Sequence, residues 1–159
     1  AMQWIDARLL IMGVGDIKSD LEKKVKTLQL ENKIHFLGRL PFEEMMNKTK
    51  NAKLAISIDK ATNGNYAISL PNKIFEYIAC SVPVLVSPLQ EIKLIVEKHK
   101  TGEFLSSYNP QELAKQITSL LSDNAKLDLI AENCKKAAKE LCWENEEIQI
   151  FKTIKNLEK

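Results

Sequence analysis

Five short apolar runs rich in branched side chains recur along this chain, separated by stretches of helical periodicity, and that alternation restricts the fold more than any other feature. The runs lie at 8–13, 33–38, 53–59, 83–87 and 102–105, and their length and branching predict buried strands. Between them, apolar residues repeat at helical spacing. Leu21, Val25 and Leu28 form one such stripe, and Ile74, Phe75, Ile78 and Ala79 form another, in a helix whose first position is Pro71. Strands alternating with helices predict an α/β fold: a parallel sheet with helices on both faces, binding its ligands at the carboxyl ends of the strands. The loops after Gly13, Gly38, Asp59 and Ser87 are therefore the functional candidates. After Leu105 the pattern is helical alone, with a start at Asn109-Pro110-Gln-Glu112, then 125–141, then 144–157, which predicts a helical C-terminal tail.

No repeat, low-complexity tract or linker divides the 159 residues, and 45% hydrophobic with 28% charged side chains suits one domain spanning 1–159. The apolar runs at 7–14 and 82–86 fall far short of the roughly 20 residues that a membrane helix needs, and no charged-then-apolar leader opens the chain, so the expected location is cytoplasmic. In that setting the sequon Asn47-Lys-Thr49 carries no meaning. Formal charge is only +2, and two of the 23 basic residues are arginine, Arg8 and Arg39, which argues against nucleic acid as a partner. Cys80, Cys134 and Cys142 fall in helix-like stretches, with His35 and His99 far apart. That spacing fits neither a metal site nor a disulfide framework, so reduced, buried thiols are expected.

Gly13-Val14-Gly15 stands at a strand-to-helix turn, where a dinucleotide fingerprint would begin, but Lys18 occupies the third glycine position and no acidic residue closes the next strand. Two readings stay open there: a tight turn, or a phosphate or sugar contact by the loop amides. The segment 68–79, Ile-Ser-Leu-Pro-Asn-Lys-Ile-Phe-Glu-Tyr-Ile-Ala, says more. With Pro71 first in the helix, Leu70 is the N-cap, and leucine cannot accept from the orphan amides of the first turn. On a helical wheel Lys73, Glu76, Tyr77 and Cys80 share the flank opposite the apolar stripe. A cation, a carboxylate and a positive helix end suit a nucleoside diphosphate, with amides and lysine on the phosphates and an ionised glutamate on ribose hydroxyls. The competing reading is a surface pair between Lys73 and Glu76 at i, i+3. The long polar loop 59–67 at a strand's carboxyl end adds weight to the functional one.

Taken in order, Gly13-Val-Gly15, Ile34-His-Phe-Leu-Gly38, Leu70-Pro-Asn-Lys-Ile-Phe-Glu-Tyr-Ile-Ala79, Val82-Pro-Val-Leu-Val86, Thr101-Gly102 and Trp143-Glu144 resemble the C-terminal half of group 1 (family 4-like) nucleotide-sugar glycosyltransferases of the GT-B fold. The likeness runs from about Arg8 to about Lys155. It implies a Rossmann-like domain that holds the nucleotide of an activated sugar, and a retaining hexosyl transfer, as in polysaccharide biosynthesis, onto a glycan, lipid or similar acceptor held by an N-terminal domain. It further implies that Glu76 binds the ribose and that the amides around Ser69 and Leu70, with Lys73, hold the diphosphate. The backbone of Arg39 and Leu40 would lie against the base. Ile68 and the Gly13 to Gly15 loop would lie near the donor sugar or phosphates. Lys73 and Glu76 serve binding and leaving-group stabilisation, and neither a metal nor a cofactor is implied beyond the nucleotide sugar.

The chain also departs from the family pattern. Ile68 stands eight positions before Glu76 where an acidic residue is common, and Ser81 stands where glycine usually precedes the Pro-Val strand. The family's first strand, central in the sheet and followed by a loop bearing Arg and Lys, has no counterpart, so the chain is expected to be a fragment, inactive alone, lacking that strand and the N-terminal domain. Another strand order, a partner chain or the rest of a longer polypeptide would close the gap. Ile148, Phe151 and Ile154 form an apolar stripe on the last helix that either packs on its own domain or meets that missing half, through which peripheral membrane association is also expected. Two rivals remain: a catalytically inactive nucleotide-binding or scaffolding module, and a receiver-like domain with Asp59 as phosphoacceptor, which lacks the acidic cluster for magnesium.

Overall fold

The computed structural model describes residues 1–157. After a 3-10 turn at Met2–Trp4 the chain forms β1 (Leu9–Met12), α1 (Lys18–Thr27), β2 (Ile34–Gly38), α2 (Phe42–Lys50) and β3 (Ala55–Ser57). There follow a single-turn α3 (Gly64–Ala67), α4 (Asn72–Ala79), β4 (Val84–Val86), α5 (Gln90–His99), β5 (Gly102–Phe104), and then α6 (Pro110–Ser122), α7 (Asn124–Glu140) and α8 (Trp143–Leu157). All five apolar runs are strands and every pairing is parallel. The helices after β5 supply the expected tail.

The strands fall into two sheets, β1 with β2, and β3-β4-β5 in that order. Successive residues of β4 serve opposite faces of the larger sheet. Val84 and Val86 join Ala55, Ile74 and Ile78 of α4, Ile92 and Val96 of α5, and Ile130, Cys134 and Ala137 of α7. Leu85 instead joins Ile5 with Ala114, Ile117 and Leu120 of α6. Helices therefore cover both faces, and each fully buried Val, Leu or Ile contributes roughly 1.5–3 kcal/mol relative to exposure.

The smaller sheet departs from the expectation of five buried strands, as does the edge strand β5 of the larger one, whose three residues are only partly buried. No residue of β1 or β2 is buried, and Leu10 is 45% exposed. The reason lies at the sheet edges: β1 and β3 each pair along one edge only, and a cavity of about 360 Å³ lies between them, lined by Leu9, Leu10, Ile11 and Met12 of β1 and Ile56 of β3. An apolar run signals that a strand is made to be covered, without saying by what.

In α4 the cap is Pro71, in extended conformation, and Asn72 is the first helical residue, one position later than the sequence suggests. Ile74 and Ile78 are buried as expected. Ala79, however, is exposed and Cys80 is buried, reversing their wheel positions, because α2 lies against that side of α4. The Cys80 thiol sits 3.6 Å from the Met46 carbonyl and 3.8 Å from its sulfur. Beyond Cys80 the chain closes a Schellman turn, with Ser81 N–H donating to Ile78 (2.9 Å) and Val82 N–H to Tyr77 (3.0 Å). Ser81 takes the left-handed conformation that this turn demands, φ +59°. All three cysteines are free thiols, and Cys142 is only half-buried, contrary to expectation.

Candidate functional site

Two buried serines build the floor of the site. Ser57 ends β3, Ser87 follows β4, and both are fully buried. Buried hydroxyls need partners, and both find them at Asp59: Ser57 Oγ donates to the carboxylate (2.9 Å) and the Asp59 N–H donates to Ser87 Oγ (2.9 Å). Tyr108, in the loop between β5 and α6, donates its hydroxyl to the Asp59 carbonyl at 2.7 Å and lies 3.1 Å from Ser87 Oγ. Because the phenol's one proton is spent on the carbonyl, the serine hydroxyl donates to the phenol oxygen, closing a ring of three hydrogen bonds. Asp59 is thus fixed through its amide, its carbonyl and its side chain. Lys60 lies over the Tyr108 ring, 5.3 Å from its centroid, a cation–π contact.

Lys73, in the first turn of α4, places its Nζ 3.2 Å from Asp59 Oδ2. The Lys73–Glu76 surface pair considered from spacing is not formed. Among the described residues the Glu76 carboxylate has neither an ion-pair nor a hydrogen-bond partner, although it lines the same cavity as Lys73 and Tyr77. Burial pushes the Tyr77 hydroxyl pKa up, and the nearby Glu76 and Asp59 carboxylates push it further. The N-terminus of α4 has no side-chain cap. Among the described residues the amides of Leu70, Asn72 and Lys73 find no partner, while the Ser69 amide turns back to the Tyr66 carbonyl at 3.3 Å and the Ile74 amide to that of Pro71 at 3.1 Å. Unpaired amides beside a lysine form an anion-binding surface.

The remaining sequence candidates fall into two groups. Ile68 (59% exposed), Ser69 and Leu70 lead directly into α4, with Leu70 packed on the core. Gly13, Gly15, Arg39 and Leu40 belong to the other sheet, where Gly13 N–H donates to Gly38 at 2.7 Å and ties the loops after β1 and β2 together. Gly13 adopts φ +135°, a region open to glycine and strained for other residues. Gly13 and Gly15 line a separate apolar cavity of about 200 Å³, which shares Ile11 and Met12 with the one beside α4. Among the described residues no hydrogen bond or ion pair joins the two groups. A roomier cavity, about 560 Å³ between Trp4 and α6, contains none of these candidates. Sequence reasoning missed Tyr108 and the serine pair, and weighed Asp59 only as a phosphoacceptor. The available signal was a hydroxyl residue at the carboxyl end of two apolar runs, Ser57 and Ser87.

A family model described as glycosyl transferases, group 1, matches residues 2–141. The chain belongs to the group 1 glycosyl transferases. Among relatives of this group 1 chain, the chitobiosyldiphosphodolichol beta-mannosyltransferase of Candida albicans is 28% identical over 149 residues, 92% of this chain and 32% of that protein. The D-inositol 3-phosphate glycosyltransferase of Rhodococcus opacus is 22% identical over 138 residues, 87% of this chain and 31% of that one. HepE of Anabaena, solved with UDP-glucose, superposes with a TM-score of 0.78 at 22% identity, covering 94% of this chain and 41% of its own. Sucrose-phosphate synthase of Thermosynechococcus elongatus gives 0.77 at 22% identity, covering 94% and 38%. The fold is that of the Rossmann-like C-terminal domain of GT-B glycosyltransferases, and family membership displaces the receiver reading. The chain spans about a third of the length of the curated relatives it matches. Among the described residues no helix is long and apolar enough to cross a membrane.

Proposed function

We propose that this chain is the donor-binding domain of a hexosyl-type glycosyltransferase, holding a nucleoside-diphosphate sugar for retaining transfer to a glycan or lipid acceptor. The observation that carries the reading is the uncapped start of α4, where among the described residues the amides of Leu70, Asn72 and Lys73 find no partner and Lys73 and Glu76 border one cavity. In this reading the amides and Lys73 hold the diphosphate and stabilise it as it leaves, through charge-assisted hydrogen bonds. Glu76, which has no competing partner among the described residues, accepts from the two ribose hydroxyls. The backbone at Arg39 and Leu40 meets the base, and Ile68 with the Gly13 to Gly15 loop lies near the sugar. The complexes of the Anabaena neighbour with UDP and UDP-glucose support a nucleotide-sugar donor, and the mannosyltransferase name of a relative supports a sugar as the transferred group.

The second part of the reading concerns the cavity of about 360 Å³ between β1 and β3. A strand from the remainder of a longer polypeptide, or from a partner chain, seats between the two open edges, followed by a cationic loop and accompanied by the acceptor domain, through which the assembly also meets the membrane periphery. Until that half is present the domain binds its donor without transferring the sugar. The exposed Ile68, standing where a donor-sugar carboxylate is common in the family, favours one alternative: a module that binds nucleotide and has lost catalysis.

An amide-shift titration with UDP, GDP and ADP tests the reading. Saturable shifts across Ser69 to Glu76 and at Arg39 and Leu40 are expected for one of the three, and Glu76→Gln should weaken that binding about tenfold with folding intact. A dispersed spectrum indifferent to all three nucleotides would remove the donor site. Transfer activity regained when the missing half is restored separates the enzyme from the inactive module.

A further inference from the structure

Lys73 does not lie idle at the proposed site. Its ammonium reaches back to Asp59 at 3.2 Å rather than along its own helix to Glu76, and Asp59 is held by Ser57, Ser87 and Tyr108 whether or not the lysine is there. The carboxylate is therefore a fixed mount, and the lysine is the partner free to leave. Both side chains keep partial solvent access, 38% for Lys73 and 26% for Asp59, so water screens their attraction and the pair is weak. A diphosphate bringing more than one negative charge to the same ammonium outcompetes a single carboxylate.

Resting on the donor-site reading above, we infer that Asp59 is a placeholder for the diphosphate: a positioning residue whose carboxylate holds the Lys73 ammonium in place in the nucleotide-free chain and then sets how strongly the site discriminates by ligand charge. Its removal acts on the phosphates and leaves the nucleoside untouched. Asp59 touches no reacting group, and its effect passes entirely through Lys73.

The test is a double-mutant cycle read by calorimetry with UDP, GDP and ADP, each alongside its nucleoside. Asp59→Asn preserves size and the acceptor for Ser57, and a melting curve checks its fold. The expected result is a diphosphate affinity about three- to tenfold tighter than the unaltered chain, unchanged nucleoside binding, and loss of the gain when Lys73→Met is combined with Asp59→Asn. Weakened or unchanged diphosphate binding in a folded Asp59→Asn chain overturns the placeholder role while leaving the donor site standing. So does a gain that survives Lys73→Met. An unaltered chain that binds none of the three diphosphates overturns the donor reading, and the placeholder with it.

Discussion

Ser81 shows how a single side chain can sit at odds with its backbone. Its left-handed φ is required by the two hydrogen bonds that end α4, and a residue with a Cβ meets a penalty there that glycine escapes. Ser81→Gly should stabilise the fold by about 1 kcal/mol, a rise in melting temperature of roughly 2–4 °C that calorimetry would resolve. Cys134 acts through protonation. It is fully buried, its sulfur near the carbonyls of Val82 and Thr101, and burial pushes its pKa up to about 12. In the unfolded chain the thiol titrates near 8.5. Between those values the unfolded state binds fewer protons than the folded one, so this contribution is intact below about pH 8.5 and declines as pH rises towards 12, by up to about 1.4 kcal/mol per unit. Urea unfolding at pH 8 and pH 10 should show the loss, and Cys134→Ala should flatten it. A slope unaffected by that substitution would assign the loss to other groups. At this scale the sequence was partly legible. Lys73 and Glu76 stand out by residue type and position, but the pairing of Lys73 with Asp59 depends on the course of a polar loop that periodicity does not describe.

Elements were read more surely than their surroundings. Each strand lies within its apolar run because a short branched run between turn residues has few other uses in a chain of this composition, and Asn109 caps α6 through the Gln111 and Glu112 amides as its sequence foretells. What a strand cannot declare is its neighbour across the sheet, and so the division into two sheets and the exposure of β1 were not legible. Nor does a helical wheel include the helix packed beside it, which is why Cys80 and Ala79 changed places. Gly102, by contrast, has a plain physical cause. It pairs with Val84, and a Cβ there would overlap the Val84 carbonyl and come within 2.5 Å of its side chain. Gly102→Ala should force β5 away from β4 and destabilise the protein by about 2 kcal/mol or more. An unchanged urea midpoint would show that the two strands have room to part.

The molecule as a whole is unevenly held. The two clusters of buried side chains both centre on the β3-β4-β5 sheet, whereas β1 and β2 contribute no buried residue. Regions with few buried apolar contacts open at lower free energy than the core. Native-state hydrogen exchange should therefore find the β1 amides opening at least about 100-fold more readily than those of Leu85 and Val86, a gap of about 3 kcal/mol. A strand seated between β1 and β3 should narrow that gap, so equal protection in this chain alone would count against an unfilled space. One contact then bears on how such a chain is made. Ile5 is covered by Leu85 and by Ala114, Ile117 and Leu120 of α6, all of which leave the ribosome long after it. During synthesis its side chain stays uncovered by these partners while most of the strands emerge, so this part of the domain closes late, and a chaperone or a neighbouring nascent chain has its opportunity there until α6 arrives.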